Sequence, residues 1–216
     1  MIRVLVCDDH FIVRQGLRQL LADAEGIEVA AEAENGPEAV RIVRELQGAL
    51  DVILMDIAMP HRDGLDVLRQ LKGEFPKLPV LMLSTYPDRQ YAVRSLKLGA
   101  AGYLGKSADA QTMVEAVRKV AGGGLFITPV VAEQLATAIG GRRSDAATPL
   151  HEQLSHREYQ VFRRLAAGRS VGEIADELAI AANTVSTYRA RILEKTGARN
   201  DVELALYAVR AQLLPL

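Results

Sequence analysis

The apolar positions of the chain follow two rhythms, and the change comes near residue 150. Before it, four short apolar runs are continuous rather than alternating, at residues 4–6, 52–55, 80–83 and 103–104, with a weaker fifth at 27–31. Continuous runs of this length predict parallel strands covered on both faces. Between them lie helical stripes: Val13, Leu17, Leu20 and Leu21; Ala39, Val40, Val43 and Leu46; Leu65, Leu68 and Leu71; Ala92, Val93 and Leu96; Met113, Val114, Val117 and Val120. Strand and helix alternate five times, which predicts an α/β fold, a doubly wound five-stranded parallel sheet closed by the glycine run 122–124. Residues 125–139 hold one short helix after Pro129. Residues 140–149 (GGRRSDAATP) read as a flexible linker that reaches about 35 Å at most.

After the linker the period is helical throughout. Ser155 and Glu158 form a capping-box pair flanked by a Leu154–Tyr159 staple, and Gly168 stops that helix. Ser170 and Glu173 repeat the box for a short second helix with Ile174, Ala175 and Leu178. A three-residue turn leads to a third helix over 183–196 with Val185, Ile192 and Leu193 inward. In the fourth, Val202, Leu206, Val209 and Leu213 are expected to serve the core, leaving Leu204, Ala208 and Ala211 outward. The segment predicts a small all-α four-helix unit containing a helix-turn-helix. The expected division is residues 1–121, a linker over 122–149, and 150–216.

Composition narrows the possibilities. The 216 residues carry 26 Lys and Arg against 27 Asp and Glu, with 49% hydrophobic residues and one Cys. A disulfide scaffold is excluded, and Cys7, inside an apolar run, reads as a buried, inert thiol. Charges at Arg3, Asp8 and Asp9 break any signal-peptide core, and no stretch reaches the roughly 18 uncharged apolar residues of a membrane span. A cytoplasmic protein without a membrane partner is expected. Residues 1–124 hold 15 basic and 17 acidic side chains and residues 150–216 hold 9 and 8, so nucleic-acid binding has to come from a local cluster.

In open α/β sheets the chemistry gathers at the carboxyl ends of the strands. Here those ends carry Asp8 and Asp9, Asp56, Ser84 with Thr85, and Lys106. Three converging carboxylates repel one another until a divalent cation neutralises them, and oxygen ligands suit Mg²⁺. His10 is read as a first-turn helix residue rather than a ligand.

The motifs CDDH at 7–10, ILMDIAMPHRDG at 53–64, LMLST at 81–85 and GAAGYLGK at 99–106 resemble the receiver domain of two-component response regulators, a flavodoxin-like fold. The resemblance implies that Asp56 is the phosphoacceptor. It implies further that Asp9, Asp56 and the Ala58 carbonyl hold Mg²⁺, Asp8 through water, and that Lys106 pairs with the phosphoryl group. Ser84 then bonds a phosphoryl oxygen and Tyr103, the aromatic switch residue, turns inward. LSHRE at 154–158, EIADELAI at 173–180 and TVSTYRARILEKTGA at 184–198 resemble the LuxR-type DNA-binding domain, which with a receiver makes the NarL/FixJ class. That resemblance implies a third helix entering the major groove, with Thr184 on a backbone phosphate and Ser186, Thr187, Arg189, Arg191 and Lys195 as further DNA contacts. The implied partners are a sensor histidine kinase, double-stranded promoter DNA with RNA polymerase beside it, and a second copy of the chain once phosphorylated, paired through the outer face of the fourth helix.

Several positions depart from these patterns. His61 stands where a small residue is usual, His156 replaces a Pro, Ala181 a capping Ser, and Ser186 and Tyr188 a Lys and a His. A different operator follows. An aspartyl-phosphate phosphatase needs a second acid two residues after the nucleophile, where Ala58 stands, so no enzyme of that type is expected. A flavin module needs a phosphate cradle where DDHF places carboxylates. Two alternatives stay open: a regulator that works without phosphorylation, and a receiver whose helical domain binds RNA or protein.

Overall fold

A computed structural model describes residues 1–46, 48–59, 62–85, 89–129, 131–132, 150–178, 180–211 and 213. The chain divides into two units, Met1–Arg142 and Arg143–Leu216. His61 and most of the expected helix and linker after Pro129 lie outside the described residues.

The first unit is a five-stranded parallel sheet in the order β2-β1-β3-β4-β5, with β1 Ile2–Cys7, β2 Ile27–Ala33, β3 Val52–Asp56, β4 Val80–Ser84 and β5 Gly102–Gly105. Helices α1 Phe11–Ala22, α2 Gly36–Glu45, α3 Gly64–Glu74, α4 Arg89–Lys97 and α5 Ala110–Ala121 follow the strands in turn. This is the expected doubly wound sheet. Every residue of β3 and β4 is buried, as continuous apolar runs require when helices cover both faces. One face of the core joins Val4, Val6, Leu54, Leu81 and Leu83 to Leu17 and Leu21 of α1 and to Met113, Val117 and Val120 of α5. Asn35, Asp63 and Asp109 cap α2, α3 and α5 by accepting the backbone N–H three residues on, which fixes where those helices start.

At Gly64 the first turn of α3 presses on the end of β3: a Cβ there would lie 2.0 Å from the Asp56 carbonyl oxygen. Only glycine permits that approach. The Gly64 N–H in turn donates to the Ile57 carbonyl at 2.9 Å. The loop after Asp56 is therefore held against the sheet.

The second unit opens with a 3₁₀ turn, Leu150–Gln153, followed by α6 His156–Ala166, α7 Val171–Leu178, α8 Ala182–Thr196 and α9 Asp201–Arg210. Both expected capping boxes form. The Ser155 N–H donates to Glu158 at 2.7 Å and the Ser170 N–H to Glu173 at 2.8 Å, each serine hydroxyl accepting in return. Gly168, with φ +81°, ends α6. Phe162, Ile174, Val185, Ile192 and Leu204 are the fully buried centre.

Within the last helix the packing is opposite to expectation, and of the expected core stripe Leu213, beyond the helix end, is buried. Leu204 and Ala208 are buried at 0%, whereas Val202, Leu206 and Val209 are 68%, 52% and 55% exposed. Both stripes repeat at i, i+4 and i+7, so periodicity cannot choose between them. Aromatic packing decides: Tyr207, beside Leu204 and Ala208, sets its ring 6.1 Å from Phe162 and its hydroxyl 2.7 Å from His151.

Candidate functional site

The strand ends bring the expected polar residues together. Asp8 follows β1, its N–H donating to the Ala33 carbonyl of β2 at 3.1 Å, and Asp56 closes β3; both side chains are completely buried. Ser84 closes β4 and is 3% exposed. The Lys106 N–H donates to the Ser84 carbonyl at 2.8 Å, and this main-chain bond turns the lysine back over the pocket. Its Nζ lies 2.5 Å from Asp8 Oδ2 and 3.0 Å from Asp56 Oδ2.

The electrostatics follow from burial. Desolvation, the Lys106 ammonium and the Asp8 carboxylate act together on Asp56, and burial prevails: its pKa is raised above the ordinary aspartate value. Burial works to lower the Lys106 value, but Asp56 and Asp8 outweigh it, and the ammonium is held more firmly than usual. One ammonium among three carboxylates leaves the pocket short of positive charge. Asp9 Oδ1 and Asp56 Oδ1 are buried oxygens without a well-formed hydrogen bond among the described residues. Oxygen donors in that condition suit a hard divalent cation. Beside them Cys7 is buried, its Sγ 3.3 Å from Met59 Sδ, and burial followed by the Asp56 and Asp8 charges pushes its thiol well up. It is protonated and inert, as expected.

One residue of this site, Arg14, was not foreseen from the sequence, and another, His10, stands differently from its expected first-turn place. His10 is the residue that caps α1 rather than a member of its first turn, and its ring stands 2.9 Å from Asp9 Oδ1. Arg14, on α1, is 4% exposed and donates to the Asp8 carbonyl at 2.7 Å and to Glu34 at 2.6 Å. It ties the turn that carries both acids to the loop after β2. Its place at 14 in a 14–17–21 series with buried Leu17 and Leu21 was the available signal.

Tyr103 lies on β5 and is 6% exposed.

In the second unit, Thr184, Ser186, Thr187 and Arg191 of α8 are exposed. Ala181, at the N-cap of α8, supplies no side-chain hydrogen bond, as its departure from serine implies. The other two cations of this helix are engaged within the unit. Arg189 Nε lies 2.8 Å from Asp201, and Lys195 Nζ 2.6 Å from Glu158, the buried acid of the first capping box. Lys195 thus holds α8 to the start of α6, a role its outward helical position did not announce. Arg191 forms no ion pair among the described residues.

The family described as response regulator receiver domain matches residues 4–118, and that described as bacterial regulatory proteins, luxR family, matches residues 152–208. The response regulator GacA of Pseudomonas aeruginosa is 40% identical over 211 residues, covering 97% of this chain and 96% of its own length. The response regulator UvrY of Escherichia coli is 36% identical, covering 97% and 94%. Among solved structures, RcsB from Salmonella enterica serovar Typhimurium, bound to promoter rprA in the presence of the phosphomimetic BeF₃⁻, is 26% identical with a TM-score of 0.57. That match covers 95% of this chain and 97% of the other.

Proposed function

The chain belongs to the response regulators of the NarL/FixJ class, a receiver followed by a LuxR-type DNA-binding domain, and from that premise we propose that it is a transcription regulator switched by phosphorylation of Asp56. The observation that carries the proposal is the pocket itself: a fully buried carboxylate at the end of the central strand, with Asp8 and the Lys106 ammonium against it. In this reading the domains run over 1–121 and 150–216, joined by 122–149.

An Asp56 carboxylate oxygen attacks phosphorus, the phosphorus–nitrogen bond to a kinase histidine breaks, and the imidazole leaves. Lys106 neutralises charge on the transferring group, and the Ser84 hydroxyl donates to one of its oxygens. Asp9, Asp56 and the Ala58 carbonyl would hold Mg²⁺, Asp8 acting through water; the bound ion supplies charge neutralisation that one lysine leaves incomplete. The partner is a sensor histidine kinase. The modified receiver then favours a homodimer that binds promoter DNA near RNA polymerase, in the cytoplasm. Among the described residues no helix is long and apolar enough to cross a membrane, which agrees with that location.

On the DNA side the reading assigns Thr184, Ser186, Thr187 and Arg191 to direct contacts. Arg189 and Lys195 reach phosphate only by giving up Asp201 and Glu158. The alternative is a regulator that works without phosphorylation.

One experiment separates the two. Wild type and Asp56→Asn are incubated with Mg²⁺ and a small phosphodonor, then examined by intact mass, size-exclusion chromatography and DNA binding. One phosphoryl adduct on wild type alone, with dimerisation or tighter DNA binding, supports the switch. Equal DNA binding by both proteins, whatever the mass, overturns it in favour of the second reading.

A further inference from the structure

The His10 ring stands against the two acids rather than capping its helix. It sits at the N-cap of α1 without making a side-chain cap bond, and it is 65% exposed. Its main-chain N–H donates to Asp8 Oδ1 at 2.9 Å, and this turn swings the ring over the acids. Nδ1 then lies 2.9 Å from Asp9 Oδ1 and 3.4 Å from Asp8 Oδ1. The shorter approach is an ion-pair distance that lacks hydrogen-bond alignment, and both atoms are of types that bind a cation.

The spacing fits such a cation. Donors bound to one cation at roughly 2.1 Å stand about 3.0 Å apart across a right angle and about 3.4 Å across a tetrahedral one. Donor atoms of Asp8, Asp9, His10 and Asp56 all lie within 4.8 Å of one another, and Asp56 Oδ1, buried in the same cluster, makes no well-formed hydrogen bond among the described residues. Mg²⁺ prefers oxygen and water, whereas imidazole nitrogen favours zinc, nickel and copper, which bind a given mixed site more tightly in the Irving–Williams order.

We propose that His10 is a fourth ligand of the acidic pocket and makes it a site for borderline divalent transition cations, which compete there with Mg²⁺. The proposal rests on the reading of that pocket as a cation site. The cation enters from the rim, where the imidazole is exposed, and is held by one nitrogen and the carboxylates of Asp9 and Asp56, with Asp8 acting through water.

The test uses the full chain without an affinity tag. Calorimetric titration with Ni²⁺ and with Mg²⁺ gives two dissociation constants for wild type and for His10→Ala, and one equivalent of Cu²⁺ is examined by electron paramagnetic resonance. The expected result is a nitrogen hyperfine coupling in wild type that disappears in His10→Ala, with the Ni²⁺ constant rising about tenfold or more relative to the Mg²⁺ constant. A coupling that survives in His10→Ala, or two constants that change in parallel, overturns the assignment. The resonance of wild type stands whatever the variant's stability: a spectrum with oxygen ligands alone also overturns it. Mg²⁺-dependent phosphorylation of wild type without a His10-dependent signal defeats this inference alone; a His10-dependent signal without any adduct defeats the phosphorylation reading alone.

Discussion

Asp56 shows at the scale of one residue how function and stability conflict. Its carboxylate is buried beside Asp8 with one ammonium between them, an arrangement that suits the proposed phosphoryl transfer and costs folding free energy. Its pKa is raised on folding, so the folded state binds the extra proton and loses stability as pH rises from the ordinary aspartate value through the raised one. Asp56→Asn, measured by urea unfolding in a chelator, is expected to be more stable than wild type by about 1 kcal/mol at pH 7. That gain should vanish below the ordinary aspartate range; equal or lower stability at pH 7 contradicts the account. Lys195 presents the opposite case. Removing its ammonium leaves Glu158, 2% exposed, with a carboxylate that still accepts the Ser155 main-chain N–H but has lost its cation. Lys195→Met should lose about 1–2 kcal/mol, while changing the salt dependence of DNA binding less than Arg191→Ala does. The pocket acids, Ser84 and Lys106 were legible because each follows an apolar strand. Arg14, His10 and the Lys195–Glu158 pair were not, because their partners lie far along the chain or around a turn that no period describes.

At the scale of elements, helix ends and close approaches carry the argument. The Asp56–Gly64 contact couples the start of α3 to the strand that carries Asp56, and a methyl group at Gly64 must push one from the other. Gly64→Ala should cost about 3 kcal/mol in equilibrium unfolding, and wild-type stability would show that the loop yields freely. Ala181 offers a gain in the other direction. Its φ of −68° and ψ of 144° are those of an N-cap, and it lacks only the side-chain acceptor. Ala181→Ser should stabilise the second unit by about 1 kcal/mol, read as a higher midpoint of thermal unfolding. The last helix teaches the limit of pattern. Its two stripes have the same period, and the larger aliphatic residues Val202, Leu206 and Val209 lie outside, because the face with Tyr207 meets Phe162 and His151.

At the scale of the whole chain, chemistry and recognition occupy different units, Met1–Arg142 and Arg143–Leu216. In the proposed switch, a signal generated at Asp56 reaches the second unit through a change in assembly or in domain contact. If assembly carries it, a palindromic operator should show a gain in affinity on phosphorylation that an operator with one half-site scrambled lacks, measured by gel shift over a protein titration. An equal gain on both operators would place the switch within one copy of the chain.

By itself the sequence determined the alternation of five strands and five helices, the helix-turn-helix, the capping boxes and the residues at the strand ends. These are local: apolar period, capping chemistry and chain order suffice to specify them. Only the tertiary structure decided which face of α9 is inside, that Tyr103 is buried, that Lys195 is held by Glu158, and that His10 and Arg14 attend the acids. Each of those depends on groups brought together across the fold, where packing volume and the need to pair buried charge select among options that the local pattern leaves equal.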